Sequence, residues 1–171
     1  MKKHSRGFSL IELLIVVAII LIIAAIAIPY LLRSRVAANQ ASAVGSIRTI
    51  NTAEITYAST YTSGYSSALG YLGPPAGTAS PTSLAAGLID SVLAGTAGGT
   101  TTGNTSAKSG YSFTYGAAAA VAGRIDAYTI TGNPTQGCGT GNGNCYFTDN
   151  SGVLRQNSTA AATAADSPVG G

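Results

Sequence analysis

Few side chains in this sequence are placed to do chemistry, and the one that stands out is an acid in hydrocarbon surroundings. Glu12 is the only ionisable residue in the apolar run FSLIELLIVVAIILIIAAIAI over residues 8–28. A charge in a bilayer costs on the order of 2.5–3.5 kcal/mol even on lenient insertion scales, and it usually signals a functional partner. The other carboxylates are scattered, with no close pair for general acid–base work. Gly137-Cys138-Gly139-Thr140-Gly141 has the glycine density of a phosphate-cradling loop but neither a nearby lysine nor a following helix. Asp149 and Asn150 offer two oxygen donors where calcium takes about six to eight, so a turn is the better reading. The expectation is a chain with no catalytic residue, no cofactor and no metal site; it is not an enzyme.

Cys138 and Cys145 lie close together in a polar, glycine-rich stretch. If the chain is exported they pair, because oxidising compartments allow disulfides. So short a loop restrains the unfolded chain by about 2.5 kcal/mol on loop-entropy arithmetic. In a cytosolic protein they would remain two thiols.

The elements that must position these groups follow from hydropathy. As a helix, residues 8–28 cover roughly 30 Å, the thickness of a bilayer's hydrocarbon core. A helix apolar all the way round over this length reads as a membrane segment. Ala25-Ile26-Ala27 offers a signal-peptidase pattern, yet the apolar run exceeds the roughly 7–15 residues of a secretory signal. A plain membrane anchor fits the length and leaves Glu12 unexplained.

The string Arg6-Gly7-Phe8-Ser9-Leu10-Ile11-Glu12 closely resembles the prepilin processing motif of type IV pilins and type II secretion pseudopilins. The resemblance continues through LLIVVAIILIIAAIAIP, ending at Pro29. It implies cleavage after Gly7 by a prepilin peptidase, N-methylation of Phe8, and a role for Glu12 in adding subunits to a filament. Its implied partners are copies of the same chain, the peptidase and an inner-membrane assembly machinery. The implied location is the bacterial inner membrane as a single-pass precursor, then a periplasmic or extracellular filament. Cleavage would remove His4, the only histidine, and with it any His-based triad or usual zinc site.

The charge balance agrees with a structural role. Only 9% of residues are charged, against about a quarter in ordinary domains. Without Lys2, Lys3 and Arg6, the six remaining basic residues balance six acidic ones, so nothing suggests nucleic-acid binding.

Beyond the apolar run, Pro29 lacks an amide donor and should kink the helix without ending it. Val44, Ile47, Ile50, Tyr57 and Tyr61 fall at helical spacing, with Glu54 in the remaining slot, predicting an amphipathic continuation to about Thr60. The expected organisation is a leader (1–7), an assembly helix (8–30), its amphipathic continuation (31–61) and a head (62–171). Within the head, 62–110 reads as a variable connector containing a helix over Ser83–Ala94, with Leu84, Leu88 and Val92 on one side and Gly95 as its cap. Residues 111–156 predict three to four antiparallel strands: Tyr111–Tyr115, Ile125–Thr131, Cys145–Thr148 and Val153–Gln156, with a turn at Asp149–Gly152. Residues 157–171 read as a loose tail. The fold class is α+β, a long N-terminal helix with a small antiparallel sheet packed on its second half, as in pilins.

Overall fold

In a computed structural model of the chain, the structure describes residues 8–95 and 103–170. The chain divides into two compact units, Met1–Ala37 and Ala38–Gly171. One helix, α1 (Leu10–Thr60), supplies the whole of the helical apolar segment and continues through Pro29. The remaining elements are a short 3-10 helix (Leu69–Leu72) and five strands: β1 (Thr105–Lys108), β2 (Tyr111–Ala117), β3 (Tyr128–Pro134), β4 (Cys145–Asp149) and β5 (Arg155–Asn157). They form a single antiparallel meander in the order β1-β2-β3-β4-β5. The architecture is α+β and pilin-like.

In the second unit, the predicted stripe of α1 is the face that packs. Ile47 and Ile50 are fully buried, Tyr57 is buried, and Val44 and Tyr61 are partly so. Small residues, Ala43, Ser46 and Ala53, fill the positions beside them and let the sheet approach. On β2 the period-two alternation sends Tyr111, Phe113 and Tyr115 inward, as a half-buried strand requires. Tyr128 and Ile130 of β3 and Tyr146 of β4 complete that layer.

Helix and sheet approach each other closely at Gly132 of β3. A Cβ built there would lie 2.9 Å from Ile47 Cδ1 and 3.2 Å from the Phe113 ring. Overpacking a filled core costs about 1–3 kcal/mol. Gly132→Ala is therefore expected to destabilise the head by that amount, read as a lower urea midpoint for the full-length chain in detergent. An unchanged midpoint would mean that the helix can ride away from β3 at no cost.

Four expectations are corrected. The helix over Ser83–Ala94 does not form. Gly87 sits at φ +68°, and the amides of Ala86, Gly87 and Leu88 donate to the carbonyls of Tyr71, Gly73 and Leu72 at 2.8 Å each. Those bonds to the 3-10 segment replace the helical ones, and the inward side chains become Ala86, Ile89 and Leu93 while Leu84 and Val92 stay exposed. Only one turn survives, capped where Asp90 Oδ1 accepts from the Val92 and Leu93 amides. Secondly, an unforeseen strand, β1, pairs along β2 inside the supposed connector.

Thirdly, the strand expected from Ile125 starts at Tyr128. Ile125 instead bridges to Gly64, its amide donating to Ser63 O and its carbonyl accepting from Tyr65 N, both at 2.9 Å. Gly64 has φ +79°, and a Cβ there would collide with the Ile125 carbonyl oxygen. Lastly, the tail is not loose over its described residues. Gln156 N donates to Ser167 O at 3.0 Å and Val169 N to Leu154 O at 2.8 Å, while Ala162 is buried. Asp166 ties the segment together through Thr163 and Asn157.

Candidate assembly and processing site

At the start of α1, Ser9 occupies the N-cap position and Glu12 the third helical residue. The Ser9 backbone amide donates to Glu12 Oε2 at 2.9 Å. This is half of a capping box, in which an acid at the third position satisfies the amide of the capping residue. The spacing Ser9-x-x-Glu12 is itself the sequence signature of such a cap. The carboxylate thus has a local partner that compensates the dipole and orphan amides of its own helix end. One amide bond does not neutralise its charge, so an external cation remains a favourable addition.

Around this acid the first unit presents hydrocarbon in every direction. Large apolar side chains between Phe8 and Leu32 range from 47% exposed at Val17 to 79% at Leu10. Removing one such side chain from water is worth about 1.5–3 kcal/mol. The described part of the helix is long and apolar enough to cross a membrane. Phe8 is exposed at the head of this surface. Gly7, the expected cleavage position, lies outside the described residues, as does the rest of the leader.

Residues 2–28 match the family described as the prokaryotic N-terminal methylation motif. The chain carries this methylation motif. It brings the Gly7–Phe8 junction, Glu12 and the apolar helix under one description and supports the type IV pilin and pseudopilin resemblance. No curated protein and no solved structure matches the chain. The methylation motif ends before Pro29, so the head is read from its own residues alone.

In the head, Cys138 and Cys145 are joined, with Cα atoms 5.8 Å apart. The closed loop is seated against the core side of the sheet: Tyr111 OH donates to Asn144 O at 2.9 Å. At Gly143, with φ +120°, an added Cβ would collide with the Tyr111 phenol oxygen and press on the Gln40 side chain. Burial pushes the Tyr111 phenol up to about 12, so this donor keeps its proton over the whole physiological range. Asp149 behaves as turn chemistry, accepting from Ser151 N at 2.9 Å, and the hydrogen bonds from Ser151 hold its carboxyl below the usual range. Among the described residues no group of three His, Cys, Asp or Glu could hold a metal ion.

Sequence reading also missed the setting of Glu54. It is fully buried, on the inward face of α1, where the spacing showed a polar residue occupying an apolar slot. Next to it lies a second buried polar link: Tyr128 OH donates to Asn51 Oδ1 at 3.1 Å, and Asn51 Nδ2 donates to Thr148 Oγ1 at 3.2 Å.

Proposed function

We propose that this chain is a structural subunit of a type IV pilus-like filament, built by packing of N-terminal helices after cleavage between Gly7 and Phe8. The observation that carries this reading is a methylation motif placed on an exposed apolar segment, residues 8–28, whose only acid lies four residues beyond Phe8. Before assembly, the bilayer covers the apolar surface and the precursor is a single-pass inner-membrane protein. In the filament, the same surface is covered by helices of adjoining copies. Cleavage creates a positive amine at Phe8, and Glu12 of one copy neutralises the amine of another, so neither charge is left unpaired in an apolar core. A bend at Pro29 would let the apolar half of α1 settle among its neighbours.

The test is the mature N-terminus. Mass spectrometry of the chain from its native membranes or shed fibres is expected to find N-methylphenylalanine at Phe8. A start at Ile28 would indicate secretory signal processing and end the filament reading. The methylation motif also belongs with pseudopilins of type II secretion, which is the second reading. Electron microscopy separates the two: abundant long fibres containing this chain identify a pilin, and processed chain without fibres identifies a pseudopilin. A membrane-anchored binding protein would show neither methylated Phe8 nor fibres.

A further inference from the structure

The carboxyl of Glu54 is fully shielded from solvent at the junction of three elements. Oε2 accepts the Ser66 amide at 2.9 Å, and Oε1 lies 2.5 Å from Ser66 Oγ. Ser66 Oγ is also 3.1 Å from Ala68 O and 3.2 Å from the Tyr115 hydroxyl, and that hydroxyl donates to Ser66 O at 2.7 Å. The single hydroxyl proton of Ser66 cannot serve both Glu54 and Ala68. If Glu54 carries a proton on Oε1, the chain resolves: Glu54 donates to Ser66 Oγ, Ser66 donates to Ala68 O, and the Ser66 amide still binds Oε2.

Among the described residues no positive charge pairs with Glu54. The ionisable groups facing Glu54 are Tyr57 on its own helix, Tyr115 from β2 and Tyr128 from β3, and the connector brings only Ser66. Among the described residues, neither ion pair involves Glu54: these are Lys108–Asp90 and Arg124–Asp126. Residues 96–102 contain no ionisable side chain. A buried charge without a counter-charge is costly, and a carboxyl so placed takes up a proton instead.

The geometry points to a proton-operated latch: protonated Glu54 fastens the start of the connector, residues 63–68, to α1 and β2, and ionised Glu54 releases it. The segment concerned is short, follows the end of α1 directly, and carries the Gly64–Ile125 bridge that seats β3's leading loop. Loosening it therefore frees one end of the head without dissolving the sheet.

The sign follows from linkage. Burial, the leading cause, raises the Glu54 carboxyl above its ordinary value, and hydrogen bonds from Ser66 and Tyr115 only partly oppose it. The stabilising contribution is complete below the ordinary carboxylate range and is lost as pH rises through the folded-state value. Between those two values, the opening constant of the segment rises by up to about tenfold per pH unit, the limit for one proton.

Hydrogen exchange of the full chain in detergent, corrected for intrinsic rates and followed from acid to neutral pH, tests this. Protection of Tyr65 and Ser66 is expected to fall with pH in the native chain and to become level in Glu54→Gln. The glutamine keeps an acceptor for the Ser66 amide and a donor for its hydroxyl. Level protection in the native chain, or an undiminished slope in Glu54→Gln, overturns the latch. Should the variant misfold, carbon-13 titration of the native Glu54 carboxyl decides. A midpoint above the usual carboxylate range supports the proposal, and one within that range sinks it.

Discussion

Glu12→Gln is expected to insert and be cleaved before Phe8 yet to weaken subunit addition by on the order of 10²–10⁴-fold. Removing one member of a buried ion pair costs about 3–5 kcal/mol, because the orphaned charge stays buried, and that range converts to such a factor. Glutamine is the informative substitution. Its side-chain oxygen can still accept the Ser9 amide, which Glu12 Oε2 holds at 2.9 Å, so the helix cap survives while the charge is lost. Glu12→Ala removes both the charge and the acceptor of the Ser9 amide. Fibre yield measured by shearing and immunoblot, beside membrane levels of processed subunit, separates the two contributions. Normal yield from Glu12→Gln with reduced yield from Glu12→Ala would show that capping, not charge pairing, is what assembly requires.

Phe113→Ala is expected to remove a large share of the head's stability and to raise its unfolded population by on the order of 10²–10⁴-fold. Phe113 is fully buried on β2, and its ring flanks the Ile47–Gly132 approach between helix and sheet. Truncating a buried phenylalanine costs about 3–5 kcal/mol, against a total stability of about 5–15 kcal/mol for an ordinary domain. Limited proteolysis of membranes should cut this variant within residues 111–156 while leaving the native chain intact. Resistance equal to the native chain would mean that Tyr111 and Ile130 close the cavity unaided.

What could be read in advance and what could not divide along physical lines. The helix was legible because its signals are periodic and long: residues 8–28 are apolar but for Ser9 and Glu12, and Ile47, Ile50 and Tyr57 repeat at helical spacing. Tyr111, Phe113 and Tyr115 were legible for the same reason at period two. β1 was not, because Thr105-Ser106-Ala107-Lys108 contains no large apolar residue to alternate, and its strand character comes from pairing with β2. Leu84, Leu88 and Val92 suggested a helix, but long-range bonds to the 3-10 segment overrode that spacing once Gly87 turned the chain. The Ser9–Glu12 cap is a local pattern of four residues, legible without any long-range contact. Glu54 could be seen as out of place; its partners, Ser66 and Tyr115, are brought to it only by the fold.

The returning tail has a consequence for how molecules of this kind avoid sticking to one another. An unpaired outer strand is a template on which a foreign strand can grow. Along β5, the Gln156 amide and the Leu154 carbonyl are already engaged by Ser167 and Val169 of the same molecule, and Pro168 between them has no amide to offer a newcomer. That flank of the meander is occupied by residues 167–169 of the same molecule, so a foreign strand finds those groups already taken.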